Sequence, residues 1–188
     1  MTQTNITQAS SSVTQIEEWQ SRTLAELTQH IIAKHHTYLR DELPVIEALL
    51  NAPVQSRSNV NAAPVTALAR IFHQFRREME EHMKKEEAIL FPMIEKLETA
   101  RACDREVPRL PFGSIAHPIA VMEQEHERAR KELAEIRTFT SDYEKIPGAA
   151  EEQVSVLERL KALDHDMEIH SRLEDEVLFP RAIRFERV

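Results

Sequence analysis

The sequence predicts an all-α fold, an antiparallel up-down four-helix bundle, on three observations. Only two glycines occur in 188 residues, against a usual share of about 7%, which leaves almost nothing for hairpin turns or phosphate-cradling loops. Four long segments place apolar residues at alternating steps of four and three, the seam of a packed bundle helix. Breaks near 51–64, 99–116 and 141–149 hold most of the prolines and small polar residues.

Each segment justifies a helix in turn. The first runs Ile32, His36, Leu39, Leu43, Ile46, Leu50, and the second Leu68, Phe72, Phe75, Met79, His82, Glu86, Ile89, Met93. The third runs Ile115, Ile119, Met122, His126, Ala129, Leu133, Ile136, and the fourth Val156, Leu160, Leu163, Met167, His170, Glu174, Val177. Pro92 and Pro180 each follow Leu-Phe, where a missing backbone donor is expected to kink or end the run; Pro44 and Pro118 are expected to mark a kink and a helix start. Connections of this length still favour antiparallel neighbours.

Residues 1–16 are rich in Thr, Ser and Gln without periodicity and are expected to form a disordered polar lead, with 17–188 as one domain. The 24 basic and 32 acidic residues give a formal charge of −8, and no Lys/Arg cluster interrupts it, so nucleic acid is excluded as a partner. No apolar run approaches the roughly 20 residues that span a bilayer, and the start lacks a secretory pattern. A soluble cytoplasmic chain without a membrane partner is expected. Cys103 stands alone, so no internal disulfide or cysteine-rich metal site can form. Any metal must be held by His and carboxylate.

The second and fourth segments share a cassette, His82-Met-Lys-Lys-Glu86 through Leu90-Phe91-Pro92 and His170-Ser-Arg-Leu-Glu174 through Leu178-Phe179-Pro180. The first and third match more weakly, His36, Arg40, Glu42 and Leu43 answering His126, Arg130, Glu132 and Leu133. The offsets of 88 and 90 residues predict a helix hairpin used twice, giving the bundle an internal two-fold repeat.

His and Glu four residues apart lie on one helix face, here on the seam. All four segments therefore aim a His at the bundle axis, and two add a Glu where Leu would otherwise pack. A lone seam His is usually a hydrogen-bonded core residue, and a Glu on a charged helix is usually solvated. Four imidazoles and two carboxylates buried together without a cation would cost several kcal/mol per unpaired charge. Two metal ions at the centre remove that cost and couple binding to folding. This donor set suits iron, manganese or zinc. The Glu-x-x-His spacing of ferritin-like sites occurs only at Glu123 and His126 on the third helix, so ferritin-like ligation is rejected. Two nitrogens and two oxygens per metal leave an octahedral ion an open position for a small ligand.

These cassettes, the Glu-Leu-Pro run at 42–44 and Val-Met-Glu-Gln-Glu-His at 121–126 resemble the hemerythrin-like di-iron domain over roughly residues 24–183. More narrowly they resemble the bacterial repair-of-iron-centres proteins, which help restore iron-sulfur clusters damaged by nitric oxide or oxidants. The resemblance implies two non-haem iron ions, oxo- or hydroxo-bridged, with His36, His82, Glu86, His126, His170 and Glu174 as ligands. It implies a stress-response protein that supplies iron to damaged iron-sulfur proteins. The alternative is a module that binds or senses nitric oxide or dioxygen without repair, and a third reading is reduction of nitric oxide or peroxide at the iron pair.

The match has departures. Repair proteins carry a cysteine pair ahead of the first helix, where this chain shows a polar lead. Oxygen-carrying hemerythrins place a fifth His where Arg130 stands, and their fourth helix uses His-x-x-x-x-Asp, a spacing that Asp175 satisfies. Glu174 is preferred because it keeps the seam step and mirrors Glu86. Flanking roles, orienting ligands or passing iron outward, are open to His35, Glu78, Glu125 and Asp166, with solvated surface as the plainer fate of the three carboxylates. His30, His73, His117 and His165 are given none.

Overall fold

The computed structural model of the protein describes residues 16–52, 63–106, 109–146 and 154–187. Among them the chain is all-helical, with no strand. The expected polar lead lies outside the described residues up to position 15, while Ile16 opens a helical turn over 16–19 in which Ile16 and Trp19 are buried.

Helix α1 (Leu24–Ile31) starts at a capping box. The Thr23 hydroxyl accepts from the Glu26 backbone N–H at 3.1 Å, and the Glu26 carboxylate accepts from the Thr23 N–H at 2.9 Å. Glu98 accepts from the next two free donors, Leu24 N–H and Ala25 N–H, at 2.7 and 2.9 Å. A π-helical turn, Ile32–His36, leads into α2 (Thr37–Asn51). Helix α3 (Ala63–Lys85) likewise passes through a π-turn, Glu86–Leu90, into α4 (Phe91–Ala102). Helix α5 (Ala116–Phe139) is α-helical throughout, and Glu186 accepts from Ile115 N–H and Ser114 Oγ at its start. Helix α6 (Val154–Arg172) continues through the π-turn Leu173–Leu178 into α7 (Phe179–Arg187).

The first two of the three π-turns correct the expected seams, whereas every residue of the expected fourth seam, through Val177, is buried. In each of the three, a backbone N–H reaches five residues back: Thr37 to the Ile32 carbonyl, Phe91 to Glu86 and Phe179 to Glu174. One extra residue per turn rotates everything beyond it. Ile89, expected in the seam, is 47% exposed, and Leu90 and Ile94 are buried in place of Ile89 and Met93. On the N-terminal side of the first π-turn the buried residue is Ile31, with Ile32 only half-buried. Helix α5 has no π-turn, and every residue of its expected seam is buried.

For the prolines, the expected end of the run is corrected, while Pro118 lies in the first turn of α5. Neither Pro92 nor Pro180 ends its run, for each sits at the second residue of a helix leaving a π-turn. The wider turn removes the ring's clash with the carbonyl four residues back and leaves its missing donor without consequence. Helix α2 passes through Pro44 to Asn51.

Helix α2 packs on α3 and α6, α3 on α5, α1 on α4, and α4 on α7. The buried apolar residues form two clusters. One gathers Leu39 and Leu43, Phe72 and Phe75, Leu133 and Ile136, and Leu160 and Leu163. The other gathers Leu27 and Ile31, Leu90 and Ile94, Ile119 and Met122, and Val177 and Phe179. Along every run, Met83 excepted, the two sets lie on opposite sides of a buried His, so a polar layer separates two apolar ones. Among the described residues no helix is long and apolar enough to cross a membrane.

Candidate metal centre

That polar layer holds all six residues proposed from the sequence as ligands. His36, His82, Glu86, His170 and Glu174 are fully buried and His126 nearly so. Their donor atoms fall into two groups, His36, Glu86, His170, Glu174 and His82, Glu86, His126, Glu174, each with its atoms within 4.8 Å of one another. Both carboxylates belong to both groups. Glu86 turns Oε2 to His36 Nε2 at 3.3 Å and Oε1 to His82 Nε2 at 3.2 Å. Glu174 turns Oε1 to His170 Nε2 at 3.2 Å and Oε2 to His126 Nε2 at 3.0 Å.

The π-turns bear on this directly. His36 ends the first, Glu86 begins the second, and Glu174 lies one residue inside the third. A π-turn moves a side chain without ending the helix, and it lets the ligand layer and the apolar faces on both sides of it point to the same axis.

Behind three of the imidazoles stands a carboxylate. His36 Nδ1 donates to Glu87 Oε1 at 2.6 Å, His82 Nδ1 to Glu125 Oε2 at 2.9 Å, and His126 Nδ1 to Asp175 Oδ1 at 2.8 Å. Each carboxylate is itself paired with a cation: Glu87 with Arg40, Glu125 with Lys85, Asp175 with Arg130. Because a carboxylate can only accept, Nδ1 carries a hydrogen, and Nε2, the nitrogen that faces the centre, is the one that offers a lone pair when the ring is neutral. His170 differs, for its Nδ1 is buried without a hydrogen-bond partner. His35 stacks on it, ring centroids 5.5 Å apart and planes 8° from parallel, and donates from Nδ1 to Asp166 Oδ1 at 3.0 Å.

The electrostatics are those of a site that must hold positive charge. Burial pushes the His82 imidazole down, but the Glu86 charge and the hydrogen bond to Glu125 outweigh it and raise it to about 9. His126 is raised to about 10 against the same burial by the hydrogen bond to Asp175 and the Glu174 charge. His36 is also raised, whereas at His170 burial prevails and the imidazole is lowered. Burial pushes Glu174 up, yet the charges of His170 and His126 and the hydrogen bond from His170 hold it well below the usual carboxylate range; Glu86 is lowered likewise. Both oxygens of Glu86 and Oε2 of Glu174 are nevertheless buried without a properly directed hydrogen bond. Converging lone pairs of two nitrogens and two oxygens per group, with oxygens that no donor satisfies, fit a pair of cations bridged by both carboxylates.

The remaining candidates separate clearly. Asp175 lies behind His126 and in neither group; the carboxylate shared by both groups on that helix is Glu174. Glu125, Asp166 and His35 lie around the layer, whereas Glu78 accepts from Gln74 and lines, with Glu125 and Glu132, the groove between α3 and α5. Glu87 was missed from the sequence. Its signal was the repeat, since Glu87 and Asp175 each directly follow a seam Glu and each backs a His on the preceding helix. Cys103 is exposed and belongs to neither group.

Paired His-carboxylate groups buried in an all-helical frame define a helical cation-binding protein. The chain belongs to the hemerythrin family, matching the hemerythrin HHE cation binding domain over residues 27–182. It is 32% identical over 183 residues to a protein named iron-sulfur cluster repair protein YtfE of Edwardsiella ictaluri (strain 93-146), covering 97% of this chain and 76% of that one. Proteins of the same name from Escherichia coli O1:K1 / APEC and Shigella boydii serotype 18 are each 34% identical over 169 residues, 89% of this chain and 70% of theirs.

Proposed function

We propose that the chain is a non-haem di-iron protein of the nitrosative and oxidative stress response that helps repair damaged iron-sulfur clusters by supplying iron. One observation carries the reading: both buried carboxylates offer one oxygen to each of two His pairs, in a chain whose relatives bear the name of a cluster repair protein. His36 and His170 would hold one iron and His82 and His126 the other, with Glu86 and Glu174 bridging. Iron held there supplies a one-electron redox couple and exchangeable ligand positions. The chain's own contribution is to fix each imidazole tautomer through Glu87, Glu125 and Asp175, and to keep water from the bridging carboxylates with apolar layers on both sides.

The same reading makes residues 17–188 one domain, an antiparallel four-helix bundle made of a duplicated hairpin. The alternation of the apolar clusters supports it: residues after His36 and His126 share a cluster with residues before His82 and His170. The partners are damaged iron-sulfur proteins and nitric oxide or dioxygen, in the cytoplasm.

Iron-loaded protein incubated with a nitric-oxide-inactivated iron-sulfur hydratase restores its activity and loses iron in proportion; no recovery from fully loaded protein overturns the repair role. A second reading, capture or sensing of nitric oxide or dioxygen, is favoured by four donor atoms per group, two fewer than an octahedral ion takes. It predicts a stoichiometric nitrosyl absorption with no iron release.

A further inference from the structure

The two halves of the site are not equivalent, and the reason lies in two positions of the repeat. An offset of 90 residues relates α1–α2 to α5, and an offset of 88 relates α3–α4 to α6–α7. Under these offsets His36, Arg40 and Glu87 answer His126, Arg130 and Asp175, and the contacts repeat: each His donates to a carboxylate that also pairs with an Arg.

His82 answers His170, but here the repeat fails. Behind His82 stand Glu125 and Lys85. Their counterparts behind His170 are His35 and Leu173. Where Glu125 accepts from the His82 Nδ1, His35 lays its ring flat on His170 and turns its own Nδ1 to Asp166. Leu173 is buried among the apolar residues beside the site and brings no charge. His170 is consequently the one ligand-facing imidazole whose Nδ1 has no partner.

Grooves reach both halves, and His126 itself lines one of about 570 Å³, so access does not favour exchange at the His36–His170 position. Glu125 and Lys85 line a groove of about 460 Å³, and His35 and Asp166 line another of about 650 Å³. Ligand support separates the halves. A carboxylate behind a ligating imidazole fixes its tautomer and raises its basicity, and losing such a partner typically costs 10–100-fold in metal affinity.

We propose that His35 makes the His36–His170 position the exchangeable one, so that the ion held there leaves first while the His82–His126 position retains its ion. His35 and Glu125 act as positioning residues of opposite effect at equivalent places in the repeat. The inference rests on the two-ion reading above and adds to it which ion is donated.

The test is release from the full-length protein loaded anaerobically with two equivalents of iron(II), mixed with an excess of a chelator that absorbs on binding iron(II). The wild type releases one equivalent at least tenfold faster than the other. His35→Glu slows the fast phase toward the slow one, and Glu125→Gln speeds the slow phase toward the fast one. Circular dichroism of both variants establishes that they fold, and should one not fold the other carries the test. A single release phase in the wild type overturns the proposal. So does a fast phase that His35→Glu leaves unchanged, or a slow phase that Glu125→Gln leaves unchanged. A chain that takes up fewer than two equivalents defeats the two-ion reading and this one with it; one that takes up two and releases them together defeats only this one.

Discussion

His126 donates from Nδ1 to Asp175 at 2.8 Å while its Nε2 faces Glu174 at 3.0 Å, so neighbouring carboxylates on one π-turn meet opposite edges of the same imidazole. Glu174 is thereby placed to share a cation and Asp175 to orient a ligand. Glu174→Ala is expected to lower the number of ions bound per chain, measured by elemental analysis after gel filtration. Asp175→Ala is expected to keep the number and lose about 10–100-fold in affinity. Equal loss of stoichiometry in both variants would contradict the division of roles.

Proton competition sets the pH dependence of cation binding. Without a cation, His82 and His126 keep their protons up to about 9 and about 10, above the ordinary 6.5. Binding at pH 7 must expel protons from Nε2, so affinity rises with pH toward 9–10, by about tenfold per unit for each proton displaced, and levels off above. Calorimetric titration of zinc(II) in buffers of different ionisation enthalpy counts those protons. A pH-independent affinity between 6 and 8 would contradict the account.

At the rim of the α3–α5 groove, burial and the neighbouring Glu78 raise the Glu132 carboxyl to about 7. A raised carboxyl favours the folded state fully below its unfolded value near 4.5, and that contribution is lost as pH rises through about 7. Glu132→Gln, which keeps the neutral form at all pH, is expected to raise the melting temperature at pH 8 and leave it unchanged at pH 4. A stabilisation equal at both values would point to a cause other than charge.

The π-turn shift in the second run yields a packing test. Ile94→Ala, at a fully buried position, is expected to cost about 2–5 kcal/mol. Ile89→Ala, at a position 47% exposed, is expected to stay within about 0.5 kcal/mol. Urea denaturation of the metal-loaded protein measures both. The reverse order would place the seam where an uninterrupted helix puts it.

Ile89 and Ile94 also mark how far sequence reasoning reaches. Steps of four and three identify the helices and bring every ligand-type residue to the axis, because up to the ligand layer the periodicity is that of an α-helix. Beyond it, in the second run, the register depends on one i→i+5 bond, from the Phe91 N–H to the Glu86 carbonyl. Nothing local in Glu-Glu-Ala-Ile-Leu demands that bond. It satisfies a tertiary requirement, that Glu86 and the apolar residues after it face the same axis. The carboxylates behind the imidazoles were hidden for a related reason. Glu87, Glu125 and Asp175 sit on the charged faces of their helices, where solvation is the ordinary fate, and only the packing of neighbouring runs brings each to an Nδ1. The repeat held enough information to place Glu87 once Asp175 was placed.

Burial of both carboxylates in both groups makes a two-cation centre the central claim, and counting ions tests it most directly. Protein reconstituted anaerobically with excess iron(II), freed of unbound metal and analysed for iron per chain, is expected to hold two, and the Glu86→Ala, Glu174→Ala double variant fewer than one. One ion or none in the wild type, or two ions retained by the double variant, would contradict it.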